Sequence, residues 1–481
     1  MGNTKMRFAT TTLGCKVNQC DTRALDKALV RRGHEHVTLG DGCDLCVVNT
    51  CSVTAESVRK SRQTIRRIKK LEPTAFIAVC GCYSQLQPDE VKALGVDFVS
   101  GTGDKEKLAL EIEQVVADRG TVPLSAVKQG DVGTASDKGT VPLSAATRTR
   151  AFLKIQDGCD NYCAYCIIPY ARGASRSEPI ERIVAEAKEY MEQGYNEIVI
   201  TGIEISSYGK DLVKQGDGGA ADRGTVLLSC EPHLQVRTSL KDKGTVPLSA
   251  APPSPCFLDV VEAISLAAPK IRLRIGSLDP STLSPDFVKK LAEIPQLCNH
   301  FHISLQSGCD ETLLRMGRGY KTAQVESAMA SLRENFKDCA ITADLITGFP
   351  GETDKEFQET LDFIKNAKFS NMHIFPFSPR PGTKAADMPC QVEKTVSKER
   401  AHLAAEIAEQ NSNDFKAAQI GKVAEVLFEQ QKNGYSIGHT TNYIEVAVKG
   451  DIERNTIHGI QLTGVENGGM TGEITVPIIS N

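Results

Sequence analysis

The chain has 481 residues, 41% of them hydrophobic and 24% charged, and carries a formal net charge of −4. That length exceeds one ordinary core, so several domains are expected, and the charge argues against a globally basic nucleic-acid binder while leaving room for a local basic face. No apolar run is long enough to cross a membrane, and Met1-Gly-Asn-Thr-Lys-Met-Arg-Phe8 lacks the apolar core of a signal peptide, so a cytoplasmic protein without membrane association is expected.

In chain order, residues 4–117 alternate short apolar strands at 8–14, 45–50, 76–81 and 97–101 with helices at 22–32, 57–71, 88–93 and 105–117. That alternation predicts a parallel α/β domain. The helix over 57–71 gathers Arg59, Lys60, Arg62, Arg66, Arg67, Lys69 and Lys70. It reads either as a solvated face or as a surface for RNA phosphates. From 148 to 390 a second series follows, with strands at 151–156, 197–201, 270–275, 302–306, 341–347 and 373–377. Six such units suit an incomplete (βα)6 barrel. A helical connector at 391–418 leads to residues 419–481, where short Gly-punctuated strands at 423–428, 443–448, 457–463 and 474–476 predict a small β-barrel. A nine-residue repeat, Asp-Arg-Gly-Thr-Val-Pro-Leu-Ser-Ala at 118–126, recurs nearly unchanged at 137–145, 222–230 and 242–250. Its spacing cannot stack as a solenoid, so it marks a linker insertion at 118–147 and a second one at about 212–254.

Sixteen cysteines in a chain without an export signal are not expected to form a disulfide framework. Cys159, Cys163 and Cys166, in Gly158-Cys-Asp-Asn-Tyr-Cys-Ala-Tyr-Cys166, follow the first strand of the second series. Three thiolates can hold three irons of a [4Fe–4S] cube and leave the fourth open for a substrate amine and carboxylate, whereas structural zinc takes four protein ligands at other spacings. Cys15, Cys51 and Cys82 each end a strand of the first domain, and loops at the carboxyl ends of parallel strands converge at one sheet edge. Three cysteines far apart in sequence are therefore expected to meet. Cys43 and Cys46 form a further Cys-x2-Cys, read as buried free thiols.

Around Cys159, Cys163 and Cys166 the chain resembles the radical S-adenosylmethionine superfamily, with Tyr165 standing where that superfamily packs the adenine. The resemblance implies one-electron cleavage of S-adenosylmethionine. Thr201-Gly202, Ser304-Leu-Gln306-Ser307 and Ile346-Thr-Gly348-Phe-Pro-Gly-Glu352-Thr353 fall at strand ends where the superfamily contacts its cosubstrate. Gly202, Ser304, Gln306, Gly348 and Glu352 are therefore candidate contacts.

Leu13-Gly-Cys-Lys-Val-Asn-Gln19, Val48-Asn-Thr-Cys-Ser-Val-Thr54 and Cys80-Gly-Cys-Tyr83, ahead of the radical motif, resemble the methylthiotransferase family. The last strands, with Gly438-His-Thr-Thr-Asn-Tyr443, look like a TRAM domain that binds RNA. By that resemblance Cys15, Cys51 and Cys82 hold a second, auxiliary [4Fe–4S] cluster that handles the inserted sulfur. Gly14-Cys-Lys-Val-Asn-Gln19 and Ile374-Phe-Pro-Phe-Ser-Pro-Arg-Pro-Gly-Thr383 look most like the branch acting on N6-threonylcarbamoyladenosine of tRNA. One departure is Glu204, where that branch more often has His. The implied reaction replaces the adenine C2 hydrogen at tRNA position 37 with a methylthio group, drawing on an electron donor such as flavodoxin or ferredoxin and on a sulfur source. Alternatives are the same chemistry on isopentenyladenosine or on a ribosomal-protein aspartate, and a non-catalytic iron–sulfur protein that binds RNA or senses redox state.

Overall fold

A computed structural model describes residues 5–118, 149–213 and 255–476. The repeats, apart from Asp118, lie outside the described residues. Among the described residues no helix is long and apolar enough to cross a membrane.

The first body runs β1 (Arg7–Thr12), α1 (Lys16–Arg31), β2 (Glu35–His36), β3 (Leu45–Thr50), α2 (Ala55–Leu71), β4 (Phe76–Gly81), α3 (Cys82–Leu86), α4 (Pro88–Lys92), β5 (Phe98–Val99) and α5 (Lys105–Asp118). Its sheet has the order β2-β1-β3-β4-β5, every pair parallel. Leu45 and Val47 pack with Leu25, Leu29 and Ile112 on one face, while Cys46 and Val48 pack with Ile65, Ile68 and Val79 on the other. Covered on both sides, β3 and β4 are buried along their whole length, which explains their nearly continuous apolar sequence. Each fully buried Leu or Ile contributes roughly 1.5–3 kcal/mol. The sequence places the first helix from residue 22; it starts at Lys16 instead. Gly14, at φ +98°, breaks β1 early, and Cys15 becomes the N-cap.

The second body contains β6 (Arg150–Lys154), β7 (Gln156–Asp157), α6 (Ile168–Arg172), β8 (Arg176–Ser177), α7 (Ile180–Glu192), β9 (Glu197–Thr201), α8 (Lys210–Val213) and α9 (Phe257–Ala267). It continues with β10 (Arg272–Ile275), β11 (Ser277–Leu278), α10 (Pro285–Ala292), β12 (His300–Gln306), α11 (Asp310–Met316), α12 (Thr322–Asn335), β13 (Ala340–Thr347), α13 (Asp354–Ala367), β14 (Asn371–Pro376) and the long α14 (Lys394–Ala417). Parallel pairing links β6, β9 and β10 in one sheet and β11 through β14 in another. Because β10 and β11 are nearly continuous, the six main strands follow one another in sequence order as the partial barrel the pattern predicts. Leu153, Ile198, Leu273, Ile303 and Ala343 point outward into the core beneath the helices. Alternation turns their neighbours inward, and apart from Phe152 and Val199 these are polar.

The third body is a closed barrel, β15-β16-β17-β19-β18, made of β15 (Val423–Lys432), β16 (Tyr435–Thr440), β17 (Glu445–Lys449), β18 (Ile457–Glu466) and β19 (Gly469–Val476). Val426, Phe428, Val446, Ile460, Leu462 and Met470 fill it. The strand Tyr435–Thr440 is not among those expected. Its buried positions are Ser436, Gly438 and Thr440, so no apolar alternation announces it.

Candidate cluster-binding active site

Cys15, Cys51 and Cys82 follow β1, β3 and β4, three adjacent parallel strands, and so reach one edge of the sheet. A Cβ added at Gly14 would lie 2.7 Å from Cys51 Cβ and 2.8 Å from its Sγ. Only glycine lets the chain entering Cys15 pass this close to Cys51. Asn18 closes the loop, its Nδ2 donating to Leu13 O at 2.7 Å and to Thr50 O at 3.1 Å. Burial pushes the Cys15 thiol up and that of Cys82 to about 12, and the charge of Cys51 acts on both.

Two cations from the second body approach this trio. Arg172 gives Nη1 to Asp157 Oδ1 at 2.8 Å and Nη2 to Asp21 Oδ2 at 2.9 Å, and its charge also acts on Cys82 and Cys15. Arg380, 8% exposed, has a buried Nε with no partner and interacts electrostatically with Cys51. Its loop docks on the first body, where Ala55 N donates to Ser378 Oγ at 3.4 Å. A guanidinium whose buried Nε has no partner is costly beside neutral thiols, and Glu90 is the carboxylate whose charge acts on it. The charge balances when those thiols are ionised and hold a metal cluster.

The other trio sits on the loop between β7 and α6. Gly158, at φ +72°, brings its backbone so near Ala174 that an added Cβ would fall 2.0 Å from that carbonyl oxygen. Asp157 Oδ1 accepts from Gly158 N at 2.8 Å, so Arg172 reaches this loop through Asp157. Cys159 Sγ accepts from Asn161 N at 3.5 Å, and Cys163 Sγ accepts from Arg318 Nη1 at 3.2 Å. Arg318 is oriented by Asp279 Oδ2 at 2.8 Å and Tyr320 OH at 2.9 Å. Burial raises Cys159 to about 11 and Cys166 to about 12. These are thiols that lose their protons on binding metal, with a fixed cation alongside. Among the described residues no three His, Cys, Asp or Glu side chains converge tightly enough for a single ion. Each trio supplies three thiols, the donor set of a [4Fe–4S] cube with one open iron, whereas a structural zinc takes four protein ligands.

Gly202 lies at the end of β9, where an added Cβ would meet Ile205 at 2.8 Å and Gln156 O at 3.0 Å. Beside it Gln156 Oε1 accepts from Ile203 N at 3.1 Å and Glu204 N at 2.9 Å. Ser304 and Gln306 end β12, where Gln306 has φ +66° and the register with β13 shifts. Tyr165 is partly buried and packs with Met316 and Phe349. Glu204 has one buried oxygen, Oε1, with no partner, while burial and Asp279 raise its carboxyl to about 7. An orphaned acceptor at this rim fits the ammonium of S-adenosylmethionine. Gly348 and Glu352 are placed differently. Gly348 packs against Ser397 of α14, and the Glu352 carboxylate accepts from Gly348 N at 2.7 Å and Arg400 Nη1 at 2.8 Å. This pair braces the rim against α14.

Below the rim, Glu197 is fully buried and takes Arg272 Nε at 2.6 Å and Arg274 Nε at 2.9 Å, with Arg150 Nε at 3.4 Å. Tyr443 of the small barrel plugs this floor, its hydroxyl accepting from Arg150 Nη1 at 2.9 Å and its ring lying 4.7 Å from the Arg274 guanidinium. On α2, Arg59 and Lys60 pair with Glu56, Arg62 pairs with Glu90, and Lys69 binds the carbonyls of Leu94 and Gly95, while Lys60, Arg66, Arg67 and Lys70 are exposed along one face. Cys43 and Cys46 are buried with their sulfurs 3.0 Å apart, inside the α2-side core. Lys16, Arg172, Arg318 and Arg380 escape sequence reasoning because isolated cations carry no local spacing; only folding shows which groups they face.

The model of the radical SAM superfamily matches residues 153–364, and that of an uncharacterized family, UPF0004, matches 7–101. The threonylcarbamoyladenosine tRNA methylthiotransferase MtaB of Bacillus subtilis (strain 168) is 35% identical over 91% of this chain and 89% of its own length. Its counterpart in Thermotoga maritima is 34% identical over 95% of both chains. A tRNA-2-methylthio-N(6)-dimethylallyladenosine synthase from Symbiobacterium thermophilum is 30% identical over 98% of this chain and 95% of its own. Among solved structures, the radical S-adenosylmethionine methyltransferase TsrM from Kitasatospora setae superposes with a TM-score of 0.53 at 16% identity, covering 79% of this chain and 77% of its own, which shows a shared fold. With relatives this similar along nearly the whole length, the chain belongs to the methylthiotransferase family of radical S-adenosylmethionine enzymes.

Proposed function

We propose that this protein is a tRNA methylthiotransferase that converts N6-threonylcarbamoyladenosine at position 37 into its 2-methylthio derivative. The observation that carries the reading is the pair of cysteine trios on two different bodies, joined through Arg172, in a chain that matches such enzymes end to end. When bound, two [4Fe–4S] clusters and S-adenosylmethionine supply one-electron radical chemistry, sulfur handling and a methyl group.

The chain's own residues hold and orient. Cys159, Cys163 and Cys166 would ligate one cluster, with Arg318 fixing Cys163, and Cys15, Cys51 and Cys82 would ligate the other between Arg172 and Arg380. Tyr165, Gly202, Ser304 and Gln306 line the rim for the cosubstrate, Glu204 offers its free oxygen, and Gly348 with Glu352 keeps the rim in place. No general base is needed at adenine C2, whose hydrogen is not acidic. RNA is held by the small barrel and by the exposed basic face of α2. A flavodoxin- or ferredoxin-type donor supplies electrons and a separate source supplies sulfur, in the cytoplasm where the tRNA resides.

The match to a dimethylallyladenosine-directed relative favours the isopentenyladenosine substrate as the second reading. Mass spectrometry of tRNA nucleosides from cells with and without this protein separates the two. Loss of the 2-methylthio threonylcarbamoyl nucleoside on deletion is expected; its persistence alongside loss of the isopentenyl derivative overturns the choice.

A further inference from the structure

The barrel lumen is lined by Arg150, Glu197, Arg274, His300 and Asp344, the inward-facing partners of the outward apolar residues. Lys16, the first residue of α1, interacts electrostatically with all five. Groups from five different strands act on it, which turns its ammonium into the lumen toward the floor residues Glu197 and Arg150. It gets there because α1 runs along β6, where Cys20 Sγ contacts Phe152 O at 3.5 Å and Asp21 takes Lys154 Nζ at 2.7 Å. Solvent still reaches Gly14, Cys15 and Lys16, so this stretch faces open space.

The carboxylates nearby are already engaged. Glu197 is shared among three arginines, and Asp344 takes His302 Nε2 at 3.1 Å. Among the described residues Lys16 has no ion pair of its own; Arg274 and Arg150 act on it against Glu197 and Asp344, and with Arg272 three guanidinium groups share the one Glu197 carboxylate. The space it faces is therefore suited to an anion, and one residue away stands Cys15, a candidate ligand of the sulfur-handling cluster.

A threonine joined through its nitrogen to the carbamoyl group keeps a free carboxylate. Adenine C6, whose amino nitrogen N6 carries that substituent, and C2, which would receive the sulfur, flank the same ring nitrogen, N1. A cation that reads the substituent must therefore lie close to the sulfur site, as Lys16 does to Cys15. We propose that Lys16 is a specificity-determining residue: its ammonium binds the carboxylate of the N6 threonylcarbamoyl group and thereby presents C2 to the Cys15 side of the active site. This rests on the threonylcarbamoyladenosine reading above.

The test is the affinity of anaerobically reconstituted holoprotein for one tRNA prepared with and without the threonylcarbamoyl group, compared among wild type, Lys16→Gln and Lys16→Arg. The affinity ratio is taken within each variant, so a loss that weakens both RNAs equally leaves it unchanged. In wild type the modified RNA is expected to bind more tightly. The ratio should fall by roughly tenfold to a hundredfold in Lys16→Gln, the range for one charge-assisted hydrogen bond, and be largely kept in Lys16→Arg. A wild-type preference that survives intact in Lys16→Gln overturns the role of Lys16 alone. Equal weakening of both RNAs assigns the lysine to backbone phosphate and likewise overturns it. A wild type without preference, methylthiolating only isopentenyl tRNA, overturns this role and the functional reading together.

Discussion

Arg172 stands between the two trios, and its charge is divided between Asp157, which holds the Gly158 amide, and Asp21 of the first body. A planar guanidinium can serve both carboxylates at once, which a lysine ammonium cannot do with the same geometry. Nearby, Asp26 illustrates a buried charge left without such help. It is 9% exposed, its Oδ1 has no partner, and burial raises its carboxyl to about 7 despite Thr10 and Arg23. The folded state therefore binds a proton that the unfolded chain releases at about pH 4. This contribution is present below about pH 4 and lost as pH rises towards 7, at a slope of up to about 1.4 kcal/mol per pH unit. Asp26→Asn is expected to flatten that part of the profile and to be more stable than wild type at pH 8. Urea unfolding across pH 4 to 8 checks it, and an unaltered slope would contradict the raised value.

At the scale of elements, the site is assembled by strand ends and the glycines beside them. The strand positions of Cys51 and Cys82 were legible because β3 and β4 are apolar runs with sharp ends. The start of α1 was not, since Lys16-Val-Asn-Gln carries no cap signal and only the positive φ of Gly14 ends β1 early. Arg380 was illegible for another reason: its loop meets Cys51 only after β14 is placed across from the first body. Gly348 and Glu352 sit at the rim where the motif puts them, but which way they turn depends on Arg400 and Ser397, about fifty residues later. Gly14→Ala would force a Cβ onto Cys51 and strain φ +98°. Iron and sulfide analysis of the reconstituted variant should then fall from about eight of each to about four, the content of one cubane. Full content would show that the Cys15 loop does not need this close approach.

For the whole molecule, the first and third bodies both pack against the partial barrel. Tyr443 touches the barrel floor from below, Lys16 faces the lumen from α1, and the loop carrying Ser378 and Arg380 reaches the first body. RNA must then approach from outside these contacts, where Lys60, Arg66, Arg67 and Lys70 are exposed on α2. Reversing these four charges to Glu should weaken tRNA binding and flatten its salt dependence, because every phosphate that is no longer neutralised takes about 0.7–0.9 off the log–log slope. Filter binding between low and moderate salt measures this; identical slopes would take α2 out of the interface.

The most direct measurement is a single anaerobic reaction of the reconstituted protein with S-adenosylmethionine, a reductant, a sulfide source and two tRNAs, one bearing N6-threonylcarbamoyladenosine and one bearing isopentenyladenosine. Nucleoside mass spectrometry should find the 2-methylthio group on the threonylcarbamoyl nucleoside. Its appearance only on the isopentenyl nucleoside, or on neither while S-adenosylmethionine is cleaved, would contradict the account.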